Sequence, residues 1–104
     1  MGTRAQVKIE DTGVYLYQHY DGNDLPDIVK KAMKSPQGQG RIDDVEYLTR
    51  IIFSQMIKNS IDGETGYGIG TELHGDIEFL ITVNCEERTV TVNDKHYTFK
   101  KFLK

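Results

Sequence analysis

Two short segments each pair a histidine with an aspartate two residues later. They are His19-Tyr20-Asp21 and His74-Gly75-Asp76. Imidazole nitrogens and carboxylates ligate divalent metals, and a histidine oriented by a carboxylate acts as a general base. His19, Asp21, His74 and Asp76 therefore define one hypothesis, a small metal-dependent hydrolase. It requires the fold to bring the segments together, because the chain has no His-x-x-x-His or Cys-x-x-Cys pair. The alternative is that both histidines are ordinary hydrogen-bonding residues at strand ends.

Charge is distributed unevenly along the chain. Residues 59–87 contain seven acidic residues and no Lys or Arg, whereas residues 88–104 contain five basic residues and one acid. An acidic surface steers basic partners towards it, and tyrosines are favoured interface anchors. These features predict a protein-binding surface with exposed tyrosines, formed by Tyr15, Tyr17, Glu64, Tyr67, Glu72, Asp76, Glu78, Glu86 and Glu87. The alternative is an ordinary solvated acidic face.

Two other features resemble functional motifs only superficially. The segment Gly66-Tyr67-Gly68-Ile69-Gly70 is glycine-rich, but a phosphate-binding loop needs a following helix or a Gly-Lys-Ser/Thr ending. We interpret it as a short edge strand. Cys85 has only Arg88 nearby to activate it, and a structural thiol is the usual role of such a cysteine. We predict no catalytic residue and no cofactor.

The first element that must position these residues is a β-hairpin over residues 5–20. Apolar and polar residues alternate from Ala5 to Glu10, and Asp11-Thr12-Gly13 is a hairpin turn signal. The alternation puts Val14 and Leu16 on one face of the second strand. Tyr15, Tyr17 and His19 are predicted on the other face.

Two helices follow the hairpin. The first is predicted to begin after Asp24 and to end by Ser35, with a core-facing stripe of apolar residues at helical spacing: Leu25, Ile28, Val29, Ala32 and Met33. Residues 36–40 are predicted to form a loop. Asp43 and Glu46 resemble a capping box for the second helix, whose apolar face runs through residue 59.

The remainder of the chain is rich in strand signals. We predict strands at 67–71, 77–84, 89–92 and 96–99, separated by turn residues. The resulting fold class is α+β, with an antiparallel sheet, the element order ββ-αα-ββββ and two helices packed on one face.

Length and composition exclude several classes of protein. The 104 residues correspond to a single domain, 1–104. The net charge of −3 argues against direct nucleic-acid binding. No apolar run is long enough for a membrane span, no signal peptide is apparent, and one cysteine excludes an internal disulfide. We therefore expect a cytoplasmic protein with no membrane partner.

The chain resembles a family of small proteins from phages, prophages and their hosts. The resemblance rests on the Gly2-Thr3-Arg4 start, on the hairpin ending in residues 19–22, and on segments 62–69 and 73–78. It implies a phage-linked setting and no activity. By analogy with other small phage proteins, we expect a non-enzymatic protein-binding module that inhibits a host defence complex, as anti-CRISPR proteins do. Its partner would be a host or phage protein with a basic surface. A dimerising phage accessory protein, and hence a homodimer, remains an alternative.

Overall fold

A computed structural model describes residues 3–58, 60–63 and 66–104, which form an α+β fold. The strands are β1 (Ala5–Ile9), β2 (Val14–Gln18), β3 (Tyr67–Gly70), β4 (Phe79–Asn84), β5 (Thr89–Val92) and β6 (Lys95–Thr98). The helices are α1 (Leu25–Lys34), α2 (Pro36–Gly40), α3 (Val45–Met56) and α4 (Phe99–Phe102). The predicted α+β class is confirmed. The predicted order ββ-αα-ββββ holds only in part, because α2 and α4 are additional.

The six strands form one mixed sheet in the order β3-β2-β1-β4-β5-β6. The prediction of an entirely antiparallel sheet is wrong, because β1 and β4 are parallel, with Ala5 opposite Phe79 and Ile9 opposite Val83. The reason lies in residues 71–78, which we call the crossover. They carry the chain from the end of β3 back to the beginning of β1, so that β4 starts beside Ala5 and runs in the same direction.

Strand β1 lies at the centre of the sheet and is covered on both faces. Val7 and Ile9 point towards the helices and are at most 1% exposed. Gln6 points to the opposite face, which we call the open face, yet it is also only 1% exposed. Strands buried on both faces are typical of parallel pairings. Lys8, the other open-face residue of β1, instead forms an ion pair with Glu10.

Helices α1 and α3 pack together and share a single hydrophobic core with the sheet. Both helices carry their buried residues at helical spacing, as the apolar stripes predicted. Those residues are Leu25, Val29, Ala32 and Met33 in α1, and Leu48, Ile51, Ile52 and Met56 in α3.

The helix starts differ in detail from the sequence prediction. Asp44, not Asp43, caps α3 by accepting a hydrogen bond from the Tyr47 amide, and Asp43 instead pairs with Arg88. Residues 36–40, predicted as a loop, form α2. This helix forms because Ser35 caps it, accepting from the Gly38 amide at 3.0 Å, and because proline suits the first helical position.

Within the described residues, no helix combines the length and apolar character needed to cross a membrane.

Candidate functional site

The two histidine segments meet on the open face of the sheet, on either side of Tyr17. The Tyr17 hydroxyl lies 2.9 Å from Nδ1 of His19. The His74 ring stacks on the Tyr17 ring, with 4.5 Å between centroids and 25° between planes. His19 also meets the ring of Tyr20 edge-on at 4.6 Å. Tyr17 therefore joins two segments that are 55 positions apart in the sequence.

Arg4 completes this cluster with its positive charge. Its guanidinium donates to Oδ2 of Asp76 at 2.9 Å and through Nε to Nδ1 of His19 at 3.4 Å. Because arginine can only donate, Nδ1 of His19 is the acceptor in that contact. One cation thus fastens the crossover to the end of β2.

Gln6 fixes the crossover from beneath. Its Nε2 donates to the backbone oxygen of Glu72 at 3.1 Å, and its Oε1 accepts from the His74 amide at 2.8 Å. A buried amide whose two ends are both paired holds a loop in one position, because either group left unpaired would cost free energy. Gln6 therefore sets the position from which His74 stacks on Tyr17.

These contacts do not form a metal site. Among the described residues, which include His19, Asp21, His74 and Asp76, no group of three or more His, Cys, Asp or Glu side chains could hold a metal ion. Asp76 is engaged by Arg4, and Asp21 occupies a left-handed turn position with φ 56°. The fold thus unites the two histidines, but around a tyrosine and an arginine.

Beside this cluster is a cavity of about 410 Å³, where β2 ends and β3 begins. It is lined by Tyr17, His19, Tyr20, Gly66 and Tyr67. Gly66 has φ 103°, a conformation that glycine adopts readily, and its carbonyl accepts from the His19 amide at 2.8 Å. The cavity thus opens where the ladder between the two strands ends.

The predicted binding residues fall into separate places. Glu72, Asp76 and Glu78 are exposed in the crossover, whereas Glu86 and Glu87 lie in the turn between β4 and β5. The Glu86 amide donates to Asp11 in the β1–β2 turn. Glu64 lies outside the described residues. Glu72, Asp76 and Glu78 therefore belong to one segment of the fold, and Glu86 and Glu87 belong to another.

The three predicted tyrosines are less exposed than expected. Tyr15, Tyr17 and Tyr67 are all half-buried, because neighbouring strands and the crossover cover parts of their rings. The large apolar side chains that are more than half exposed near β3 are instead Tyr20, Ile69 and Leu73.

Among the described residues, Cys85 and Lys8 have shifted pKa values. Burial, reinforced by the charge of Asp11, raises the pKa of the Cys85 thiol to about 11, and the opposing effect of Arg88 is smaller. Cys85 is consequently a protonated thiol at neutral pH and a poor nucleophile. The hydrogen bond that Lys8 donates to the Glu10 carboxylate raises the pKa of Lys8 above its ordinary value.

No family model, no curated protein and no solved structure matches this chain.

Sequence reasoning missed Arg4 and Gln6, the two residues that hold the site together. Gln6 occupies a polar position in an alternating strand, which normally means exposure to solvent. Its partners follow 66 and 68 positions later, so no local pattern could reveal them. For Arg4, the only available signal was its charge opposite to that of Asp76.

Proposed function

We propose that this protein is a non-enzymatic protein-binding module that captures an extended basic segment of another protein along strand β3. The observation that carries the proposal is an edge strand next to a crossover rich in acidic residues. The resemblance to small phage proteins supplies the setting, in which the partner belongs to a host defence complex that the module inhibits.

Strand β3 has the features that strand addition requires. It is the first strand of the sheet, so one row of its backbone groups faces away from β2. The His19 amide bonds to the Gly66 carbonyl, and hydrogen-bonded pairs alternate in an antiparallel ladder. By this alternation Gly68 and Gly70 bond to β2, while the amides and carbonyls of Tyr67 and Ile69 face outward. An added strand would pair with these outward groups.

The side chains around β3 leave room for a partner. A Cβ atom added at Gly68 or Gly70 would meet no atom within 4 Å, so the open face above both glycines is clear. On the other face, Ile69 is 64% exposed, and a bound strand would cover it. Leu73, in the crossover just beyond the strand, is 52% exposed.

The charge of the residues around β3 determines which kind of partner segment it attracts. Along the sequence, Asp62 precedes β3 and Glu72 and Glu78 follow it, and residues 59–87 contain no Lys or Arg. A segment containing Lys or Arg is therefore attracted. A second copy of the chain paired through its own β3 would bring two acidic flanks together, and facing like charges are destabilising. The repulsion therefore favours a basic partner over a homodimer formed through β3.

The test uses an octapeptide of alternating Lys and Val and a matched peptide of alternating Glu and Val. We expect only the Lys peptide to bind, and its binding to protect the Tyr67 and Ile69 amides from hydrogen exchange. Equal binding of both peptides, or binding without protection of these amides, would contradict the proposal. Growth of the protein's mass with concentration, without peptide, would show that a second copy is the occupant.

A matched pair of variants separates backbone pairing from side-chain contact. Ile69→Pro removes an outward donor without removing a bond to β2, and proline is tolerated in edge strands. We expect it to abolish peptide binding, whereas Ile69→Thr, which keeps the amide, retains most of it. Circular dichroism and thermal unfolding verify that both variants fold.

The hydrolase hypothesis has weaker support. His19 and His74 are engaged by Tyr17, and Asp76 is engaged by Arg4. No observation favours a bound metal at these residues.

A further inference from the structure

Two grooves on the helical side of the molecule are lined by lysines. The larger, about 670 Å³, lies between the C-terminal parts of α1 and α3 and is bordered by Lys30, Lys31, Lys34 and Lys58. The smaller, about 310 Å³, lies between α1 and the β6 edge and is bordered by Lys30, Lys95 and Lys101. Both grooves are open, and both are far richer in positive than in negative charge.

The grooves are adjacent to each other, because Asp27 and Lys30 line both. We call the six lysines the lysine band: Lys30, Lys31, Lys34, Lys58, Lys95 and Lys101. Asp27 is the only acidic side chain among the described residues that line either groove. Within the described part of the chain, no band lysine lies within 4.0 Å of a carboxylate, since the ion pairs there involve Arg4, Lys8, Arg41 and Arg88.

Six like charges gathered along two adjacent grooves repel one another, and a bound polyanion relieves that repulsion. Lysine acts as a mobile point charge, which suits a row of phosphates better than a single fixed carboxylate. Half-buried Tyr97 lines the second groove between Lys95 and Lys101 and packs near Phe102 at 6.1 Å. An aromatic ring beside a cationic groove offers a base a surface on which to stack.

We infer that the lysine band binds the phosphodiester backbone of a single-stranded nucleic acid. The aromatic ring beside the lysines favours this ligand over an acidic peptide, which has no planar base to stack on the ring. The net charge of −3 is compatible with this binding, because the acidic residues of the crossover lie over the open face of the sheet, away from the helices.

The test measures fluorescence anisotropy with labelled oligonucleotides, dT20 and rU20, at 25–200 mM salt. We expect binding of one or both, with a log–log salt dependence of slope about −3.5 for about five neutralised phosphates. A preference for dT20 or rU20 identifies the natural strand as DNA or RNA. A 20-base-pair duplex and a polyglutamate peptide serve as competitors, and tighter binding of either one would overturn the inference.

Single substitutions locate the site. Lys30 borders both grooves, so we expect Lys30→Gln to weaken dT20 binding about fivefold at 0.1 M salt and to reduce the slope by about 0.7. Lys101→Gln should weaken binding similarly. Lys100→Gln is the matched control, because Lys100 is adjacent in α4 but borders neither groove. Equal loss in Lys100→Gln, or absence of wild-type binding at 25 mM salt, would overturn the inference.

Asp27→Asn provides a test with the opposite sign. Removing the one carboxylate that borders both grooves should tighten oligonucleotide binding severalfold. Asp27 is exposed in the first turn of α1, so the variant should fold. Unchanged or weaker binding, with the fold verified by circular dichroism, would count against the lysine band as the binding surface.

Discussion

His74 illustrates how a residue with catalytic potential can serve structure. Its ring stacks on Tyr17, and its amide is held by Gln6. We predict that His74→Ala lowers the free energy of unfolding by about 0.5–1.5 kcal/mol, the contribution of an aromatic pair. Chemical denaturation measures this loss, and added Zn²⁺, Mn²⁺ or Mg²⁺ should not stabilise the unmutated protein.

His96 is the matched control for this prediction. It lies exposed on β6, and its ring hydrogen-bonds to the Thr91 hydroxyl at 3.0 Å. His96→Ala should change stability by less than about 0.5 kcal/mol. Equal losses in both variants would mean that the stack on Tyr17 contributes nothing, and metal-dependent stabilisation would restore the hydrolase hypothesis.

Cys85 gives a second prediction at the residue scale, concerning pH. Because its pKa is raised to about 11 in the folded protein, the rate of alkylation by iodoacetamide should still be rising at pH 10. In urea the same thiol should ionise near pH 9, so its rate should level off earlier. Above pH 9 the unfolded thiol loses its proton while the folded thiol keeps it, so stability should fall as pH rises.

After burial, Asp11 is the carboxylate that raises the Cys85 pKa most, and Asp43 raises it less. Asp11→Asn should therefore lower the midpoint of the alkylation profile in the folded protein. A folded midpoint at or below pH 9 in the unmutated protein would contradict the prediction and would make Cys85 a candidate nucleophile.

The crossover is the element on which the proposed site depends, and Gln6 is its support. Gln6→Met fills a similar volume but leaves the Glu72 carbonyl and the His74 amide without their partner. We expect a loss of about 1–3 kcal/mol in unfolding free energy and faster hydrogen exchange at His74. Lys8→Met, on the same face of the same strand, should leave exchange at His74 unchanged. Unchanged exchange in Gln6→Met would mean that the crossover is held by other contacts.

Helix α2 allows a sharp comparison of two glycines. A Cβ atom at Gly38 would collide with the backbone carbonyl of Ala32, whereas one at Gly40 would meet nothing within 4 Å. Backbone cannot yield as a flexible side chain can, so Gly38→Ala should destabilise the fold by about 1–3 kcal/mol. Gly40→Ala should be neutral or stabilising by up to about 1 kcal/mol. Thermal unfolding measures the stability of both variants. Similar stabilities would mean that Gly38 in α2 does not lie against the Ala32 carbonyl of α1.

Elements defined by local periodicity could be predicted from the sequence, and those defined by distant partners could not. The alternation in residues 5–9 and the apolar stripe of α1 are properties of neighbouring residues, so both elements form as expected. The pairing of Ala5 with Phe79 joins residues 74 positions apart, and no periodicity encodes it. The candidate site follows the same division: the sequence identified His19 and His74, but not the Tyr17 ring between them.

At the scale of the whole molecule, acidic and basic residues lie towards opposite edges of the sheet. Strand β3, flanked by acids, and strand β6, with Lys95, are opposite edges, about 24 Å apart at roughly 4.8 Å per strand. The uneven charge along the sequence thus becomes a polarity across the structure. Such polarity orients a charged partner before contact and gives each edge a different preference. The proposed peptide surface and the lysine band are therefore independent, and each can be removed without the other.

The last prediction tests whether local charge at β3 or net charge governs recognition. Glu72→Lys with Glu78→Lys reverses two acids in the crossover, and Glu86→Lys with Glu87→Lys makes the same change in net charge at the β4–β5 turn. We expect the first pair to slow association with the Lys–Val octapeptide in stopped-flow measurements, because charges at the rim of an interface act mainly on the association rate. The difference from wild type should shrink as salt rises, since exposed charges are screened beyond about 8 Å at physiological ionic strength.

The second pair, at the β4–β5 turn, should have a much smaller effect on the association rate. Equal slowing by both pairs would mean that net charge, not the acidic flank of β3, attracts the partner.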